Sequence, residues 1–472
     1  MSVRIFSFPC VFVFLLFLSA LTGCQNKKTE ETGLEQKLRI SENKRFFMDE
    51  NGKPFFWLGD TGWLLFSKLD REEAVKYLDD RQKKGFNVVQ VMLLHSLSLV
   101  DAYGDSALVN KNVATPYIKE GNSLTDPTQY DYWDHVDFVI DEAAKRGIYM
   151  AMVPVWGANV KSGRVKRADA STYATWIARR YKDKPNIIWL NGGDVMGTDS
   201  TETWKGIGKA LKANDPNHLV TFHPFGRRQS STWFHSEPWM DFNMFQSGHR
   251  DYAQDIDSSS LKYGEDNWRY LQDDYARTPT KPTLDGEPSY EGIPHGLHDP
   301  KQPLWTADDL RRYGYWSVFA GGSGFTYGNS GVMQMLKPKD SAEAVSYGTK
   351  AYWYDAIHAP GASQMIFLKD LMLSKPYFER VPDQSLVAEN GEKYDRVIAT
   401  RGENYAFLYT YTGKNFKVNM GKIKGDKVQA SWYNPRDGKS TVIGELENNG
   451  VKEFDSPGEV RNGNDWVLVL GK

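Results

Sequence analysis

Two carboxylates stand where the chain could use them to break a bond. In Lys281-Pro282-Thr283-Leu284-Asp285-Gly286-Glu287-Pro288, a short strand-like run delivers Glu287 to a point where Gly286 and Pro288 break the strand. Asn186-Ile187-Ile188-Trp189-Leu190-Asn191-Gly192-Gly193-Asp194 repeats the design, with an apolar strand, small residues and then an acid. Paired acids at strand ends are the equipment of glycoside hydrolysis. A separation of roughly 5–5.5 Å serves a retaining reaction and about 6.5–9.5 Å an inverting one. A nucleophile should be ionised and firmly held, whereas a general acid keeps its proton through a raised pKa. On that basis we read Glu287 as nucleophile and Asp194 as acid/base. The chain has 60 Asp and Glu residues, so a lone acid would be an ordinary surface or structural group; paired placement favours catalysis.

Eight strands must carry these acids and their neighbours. The sequence predicts a hairpin over Phe46–Pro54 with Asn51-Gly52 at its turn, then strands at Phe55–Asp60, Val88–Leu93, Ile148–Val153, Asn186–Leu190, Leu219–Phe222, Asp241–Gln246, Pro282–Glu287 and Gly324–Tyr327. Helical periodicity falls between them, at Arg71–Lys84, Tyr132–Arg146, Tyr173–Lys182, Trp204–Ala213, Trp268–Ala276 and Leu310–Ala320, with Gly85 and Gly147 as C-terminal stops. Such alternation predicts an α/β fold, a (β/α)8 TIM barrel, with a doubly wound open sheet as the alternative. Strands four and seven of a barrel stand nearly opposite, so Asp194 and Glu287 would face each other over the central cleft.

Polar and aromatic side chains just past the strand ends are candidate substrate contacts. They are Asp60 and Trp63 after the first strand, His95 after the second, Trp156 after the third and Asn191 beside the acid; His223, Gln246 and His249, Tyr290 and Tyr327 follow strands five to eight. Each has a structural reading too, but a ring of stacking and hydrogen-bonding groups is what a sugar pocket requires. Asp285, two residues before Glu287 on the same strand face, either tunes its pKa or fills the barrel.

Composition excludes several classes. With 58 basic and 60 acidic residues, a net charge of −2 and no long basic run, nucleic acid is not an expected partner. There is no His-Glu-x-x-His, no phosphate loop and no dinucleotide fingerprint, and Gly321-Gly322-Ser323-Gly324-Phe325 lacks the second glycine of a nucleophile elbow. No metal and no cofactor are expected.

The ends carry a different grammar. Residues 1–23 read as a lipoprotein signal peptide, with Arg4, an apolar run from Val11 to Leu18 too short for a membrane span, and small residues before Cys24. Cys24 would be lipidated, and residues 24–37 would form a flexible tether. The expected location is the bacterial envelope, anchored to the outer membrane on its periplasmic face or at the cell surface. After cleavage Cys24 is the only cysteine, so no internal disulfide is available. The barrel would occupy 38–373. Residues 374–472, with short β-rich runs separated by Asn390-Gly391, Asp437-Gly438 and Asn449-Gly450, predict a small antiparallel β-sandwich packed against it.

Taken together, Trp57-Leu58-Gly59-Asp60-Thr61-Gly62-Trp63, Asn87-Val88-Val89-Gln90-Val91, Trp189-Leu190-Asn191-Gly192-Gly193-Asp194, Asp285-Gly286-Glu287-Pro288 and the terminal β-domain resemble glycoside hydrolase family 140, the apiosidase-like proteins. The resemblance runs from about residue 38 to the end. It implies a retaining (β/α)8 hydrolase with an Asp acid/base matching Asp194 and a Glu nucleophile matching Glu287. It also implies action at apiose in pectic glycans such as rhamnogalacturonan II. Some such proteins carry a collagen-binding label on the terminal domain, and nothing in these residues points to collagen. The alternatives are the same mechanism on another glycan, such as a galactosidase or endo-glycanase, or a glycan-binding lipoprotein without catalysis.

Overall fold

A computed structural model describes residues 1–2, 34, 36–255, 263–340 and 347–471. The apolar part of the leader, Cys24 and most of the tether lie outside the described residues.

Among the described residues, eight strands form the barrel in chain order: β1 (Trp57–Thr61), β2 (Val88–Met92), β3 (Tyr149–Val153), β4 (Ile187–Val195), β5 (Leu219–Pro224), β6 (Asn243–Gln246), β7 (Thr283–Asp285) and β8 (Gly324–Tyr327). Parallel ladders join β1 through β5 in sequence, β6 to β7 to β8, and β8 back to β1. The remaining seam, between β5 and β6, is stitched by Asp241 N–H to Val220 O (2.8 Å) and Thr221 Oγ1–H to Phe242 O (2.6 Å). The sheet therefore closes, against the doubly wound alternative. Strands buried on both faces read as near-continuous apolar runs, which is why Val88–Met92 and Tyr149–Val153 were legible.

The outer layer holds α1 (Arg71–Lys83), α2 (Tyr132–Lys145), α3 (Arg167–Tyr181), α4 (Thr201–Asn214), α5 (Trp268–Tyr275), α6 (Ala307–Phe319) and α7 (Pro360–Leu373). Capping boxes start several of them. Asp70 accepts from Glu73 N–H (2.9 Å) and Glu73 accepts from Asp70 N–H (3.0 Å) at α1, and Asp131 with Asp134 does the same at α2. Three differences from expectation stand out. β4 continues through Asp194 to Val195, α3 begins at Arg167, and α7 was not anticipated. Between β5 and β6 only a single turn, Ser231–Phe234, occupies the helix position.

The predicted hairpin is present: Phe47–Met48 pairs antiparallel with Pro54–Phe55. It closes the floor of the barrel. Phe47 packs on Trp57 (6.1 Å) and edge-on to Phe242 (5.1 Å), and Phe55 packs edge-on to Tyr149 (5.3 Å), all three partners at or just before the N-terminal ends of β1, β6 and β3.

The C-terminal region is antiparallel but uneven for a sandwich: a six-stranded sheet in the order Val381–Pro382, Ile398–Arg401, Tyr405–Thr410, Trp466–Gly471, Lys427–Tyr433, Ser440–Glu447, plus a ribbon of Phe416–Asn419 with Val451–Phe454. It packs on α6 rather than over the barrel mouth. Tyr409 stacks on Tyr315 (4.7 Å, 10°), and Asp465 takes a two-pronged ion pair from Arg311 (both contacts 2.8 Å). Every residue of α6 from Leu310 onward is buried, which accounts for its run of arginine and aromatic residues.

Candidate active site

Backbone contacts hold Glu287 at the C-terminal end of β7. Gly286 N–H donates to Phe245 O (2.9 Å), Gly286 O accepts from Gln90 Nε2 (2.7 Å), and Gly248 N–H donates to Glu287 O (3.1 Å). A Cβ at Gly248 would sit 2.6 Å from the Pro288 carbonyl carbon, so only glycine lets the loop after β6 come this close. The carboxylate is buried and flanked by imidazoles: His223 Nε2 lies 3.1 Å from Oε2 and His249 Nε2 lies 3.2 Å from Oε1. The Tyr290 hydroxyl also faces it and accepts from Trp63 Nε1–H (3.1 Å). Burial alone would raise the Glu287 pKa. The two histidines outweigh burial and lower it to about 2.

Asp194 sits in the opposite kind of place. Gly192, Gly193 and Asp194 all adopt positive φ (91°, 103° and 53°), the ladder to β5 slips, and pairing resumes at Val195 with Pro224. This bulge turns the acid toward the cavity. A Cβ at Gly193 would lie 2.7 Å from Trp156, so the glycines are what allow it. Burial first, and then the charge on Glu287, raise the Asp194 pKa to about 6. Asp194 N–H points at His223 Nδ1 (3.4 Å), making Nδ1 the acceptor and leaving the proton on Nε2, the nitrogen that faces Glu287.

The two acids line one cavity of about 530 Å³. Of the predicted contacts, Trp63, Trp156, Gln246, His249 and Tyr290 line it with them, and His223 braces Glu287 from behind. Trp63 and Trp156 meet at 5.6 Å to make an aromatic wall, and Gln246 Oε1 is buried without a partner among the described residues. The other four predicted contacts, like His223, are not part of the lining, and they do not bond either acid. Asp60 points outward to α1, bonded by Tyr77 Oη–H (2.6 Å) and paired with Arg81 Nε (2.8 Å). Asn191 Nδ2–H donates to Trp204 O (2.8 Å), and Tyr327 Oη–H donates to Glu291 (2.6 Å); both are buried bracing groups. His95 is half-buried outside the lining, its carbonyl accepting from Asn159.

Phe225, Arg227, Arg250, Leu297, His298, Met333 and Tyr347 also line the cavity. Met333 ends the one-turn helix Ser330–Met333 and the others lie in loops beyond the strand ends; the exposed aromatic Phe225, directly after β5, is the one with a readable signal. Among the described residues, no group of three or more His, Cys, Asp or Glu side chains is placed to hold a metal ion.

A closed (β/α)8 barrel with an acid pair at its C-terminal mouth is the frame of a glycoside hydrolase, and the solved structures agree. One described as "Glycoside hydrolase" is 47% identical, with a TM-score of 0.86 over 92% of this chain and 97% of its own. Another, described as a glycoside hydrolase family 5 protein from Bacteroides vulgatus ATCC 8482, is 44% identical, with a TM-score of 0.85 over 92% of this chain and 93% of its own. No curated protein sequence matches. The chain belongs to the apiosidase-like family: the model "Apiosidase-like, catalytic domain" matches residues 41–379. A second model, "Putative collagen-binding domain of a collagenase", matches residues 381–471.

Proposed function

We propose that this glycoside hydrolase is a retaining enzyme of family 140 that acts at apiose linkages in pectic side chains such as those of rhamnogalacturonan II. One observation carries the reading of the mechanism: two acids in one cavity have pKa values displaced in opposite directions, Glu287 to about 2 and Asp194 to about 6. A carboxylate that stays ionised is equipped to attack, and one that keeps its proton into mildly acidic solution is equipped to protonate a leaving group. In the first step Glu287 Oε attacks the anomeric carbon as Asp194 passes its proton to the departing glycosidic oxygen. In the second, Asp194 takes a proton from water, and that water displaces Glu287 from the sugar. Trp63 and Trp156 supply stacking surface, and Gln246 offers an acceptor to a sugar hydroxyl. The apiose specificity rests on the family match. We further propose that Cys24 is lipidated and anchors the enzyme in the outer membrane, within reach of polymer.

The test is incubation of the mature protein with rhamnogalacturonan II fragments carrying apiose-linked side chains. Mass spectrometry follows release, and proton NMR reads the anomeric configuration of the first product. Release at apiose with retained configuration is expected. Inverted product would overturn the role of Glu287 as nucleophile. Activity confined to another glycan would overturn the sugar assignment and leave the mechanism standing.

A further inference from the structure

Among the described residues the C-terminal domain gives none to the cavity, yet it grips the segment that carries His249. After β6 the chain runs through His249, Arg250, Asp251 and Tyr252, and it re-enters α5 through Glu265, Asp266 and Asn267. Glu265, fully buried, is where three parts of the molecule meet. Its Oε1 accepts from Tyr252 N–H (2.8 Å), and its Oε2 pairs with Arg312 Nη2 on α6 (2.5 Å). From the C-terminal domain, the Tyr394 hydroxyl faces both oxygens, at 3.0 and 3.1 Å, and gives its one proton to the pair. The Tyr394 ring also meets Tyr252 edge-on (5.2 Å), and Arg396 lies 3.6 Å over Trp268, the first residue of α5. Two side chains from one short segment of the C-terminal domain thus touch both ends of the connection between β6 and α5. Burial of α6 requires neither contact; a plain ring at 394 would cover as much apolar surface.

We propose that the C-terminal domain is a positioning element of the active site, with Tyr394 acting through Glu265 and the Tyr252 backbone to fix the segment that sets His249 against Glu287. This rests on the reading of Glu287 as nucleophile. Four groups face Glu287: His223 from β5, His249 from the loop after β6, Tyr290 from the loop after β7 and Asp194 from β4. Of these, His249 is the one whose loop the C-terminal domain holds. Around Glu265 stand Arg312, Tyr394, Tyr252 and the Asp309 charge. Other contacts share the load on the loop, since Gly296 N–H and Trp305 Nε1–H both donate to His249 O (2.8 and 3.3 Å). Loss of Tyr394 should therefore loosen the histidine rather than release it.

The test compares Tyr394→Phe with Tyr409→Phe in the full chain. Tyr409 is a fair control because its hydroxyl bonds Asp465 (3.1 Å), the residue that pairs with Arg311 across the domain boundary, and not Glu265 or Tyr252. Carbon-13 NMR of glutamate-labelled protein follows the Glu287 titration, the resonance being identified by its loss in Glu287→Gln. In Tyr394→Phe the Glu287 midpoint should rise by about half a pH unit or more as His249 moves away. The acid limb of kcat/KM should rise with it, and kcat should fall by about 3- to 10-fold while KM changes little. Tyr409→Phe should keep the wild-type midpoint. An unchanged Glu287 midpoint in Tyr394→Phe overturns the proposal, whatever happens to its melting temperature. The NMR arm needs no substrate. A Glu287→Gln protein that still hydrolysed glycan would remove the nucleophile reading, while the titration would still report whether Tyr394 controls this carboxylate.

Discussion

Glu287 and Asp194 share one cavity and differ in nearly everything else. Glu287 sits two residues past the end of β7, on a bend that keeps negative φ, buried, with a histidine at each oxygen. Asp194 sits half-buried on a left-handed bulge, and after burial the largest influence on its charge is the other acid. The same functional group is thus biased toward opposite protonation states by its surroundings. Desolvation acts on both; what separates them is that donors crowd around one and a like charge faces the other.

The comparison can be broken outright at Glu287. Glu287→Gln should lower kcat by roughly 10⁴-fold or more, measured on whichever glycan the wild type cleaves. It should also lower the Asp194 pKa below about 6, because the Glu287 charge is one of the two causes raising it. Asp194→Asn should cost about 10²- to 10⁴-fold on a natural substrate and much less on an aryl glycoside whose leaving group needs no proton. The wild-type rate should fall as pH climbs through about 6, where Asp194 loses its proton, and the variant should lose that limb. Equal losses on both substrates would contradict the acid role.

Smaller changes sharpen the contrast. His249→Ala removes one of the two donors holding Glu287 down, so the acid limb of kcat/KM should move up by about one pH unit, with a loss of about 10-fold in rate. Asp285→Asn should barely alter turnover. Asp285 is buried, takes Ser247 and Asn267 as donors, and has its pKa raised by burial to about 7. Its folded pKa lies above the unfolded value, so the folded state favours the protonated carboxyl. The stability it contributes is full below about pH 4 and is lost as pH rises toward 7. Thermal unfolding at pH 4.5 and 7.5 should show a smaller drop in the variant, with a remainder from Asp274, which burial also raises to about 7.

Much of this site was legible because its residues are flanked by punctuation. Gly286 and Pro288 mark the end of β7, and Gly192-Gly193 mark the turn into Asp194. What the strand-end pattern could not supply was direction. Asp60 and Tyr327 stand at strand ends as predicted, but strand side chains alternate, and these two point outward to α1 and to Glu291. Arg227, Arg250, His298 and Tyr347 were missed for the converse reason, since loop geometry brings them to the cavity without any periodic pattern. The helix α7 was missed because it is apolar on more than one side. It packs between the barrel and the terminal sheet, so it lacks the polar stripe that marks a surface helix.

The helix α6 is covered on one side by the barrel and on the other by the terminal sheet. The boundary visible in sequence between the two family matches is therefore absent from the energetics: cutting there would bare Arg311, Tyr315 and Phe319 to water. The two parts should melt in a single calorimetric transition with matching calorimetric and van't Hoff enthalpies, and a gene truncated at that boundary should yield an insoluble product. Folding is therefore complete only when the strand Trp466–Gly471 has been made and has paired on both sides, with Tyr405–Thr410 and with Lys427–Tyr433.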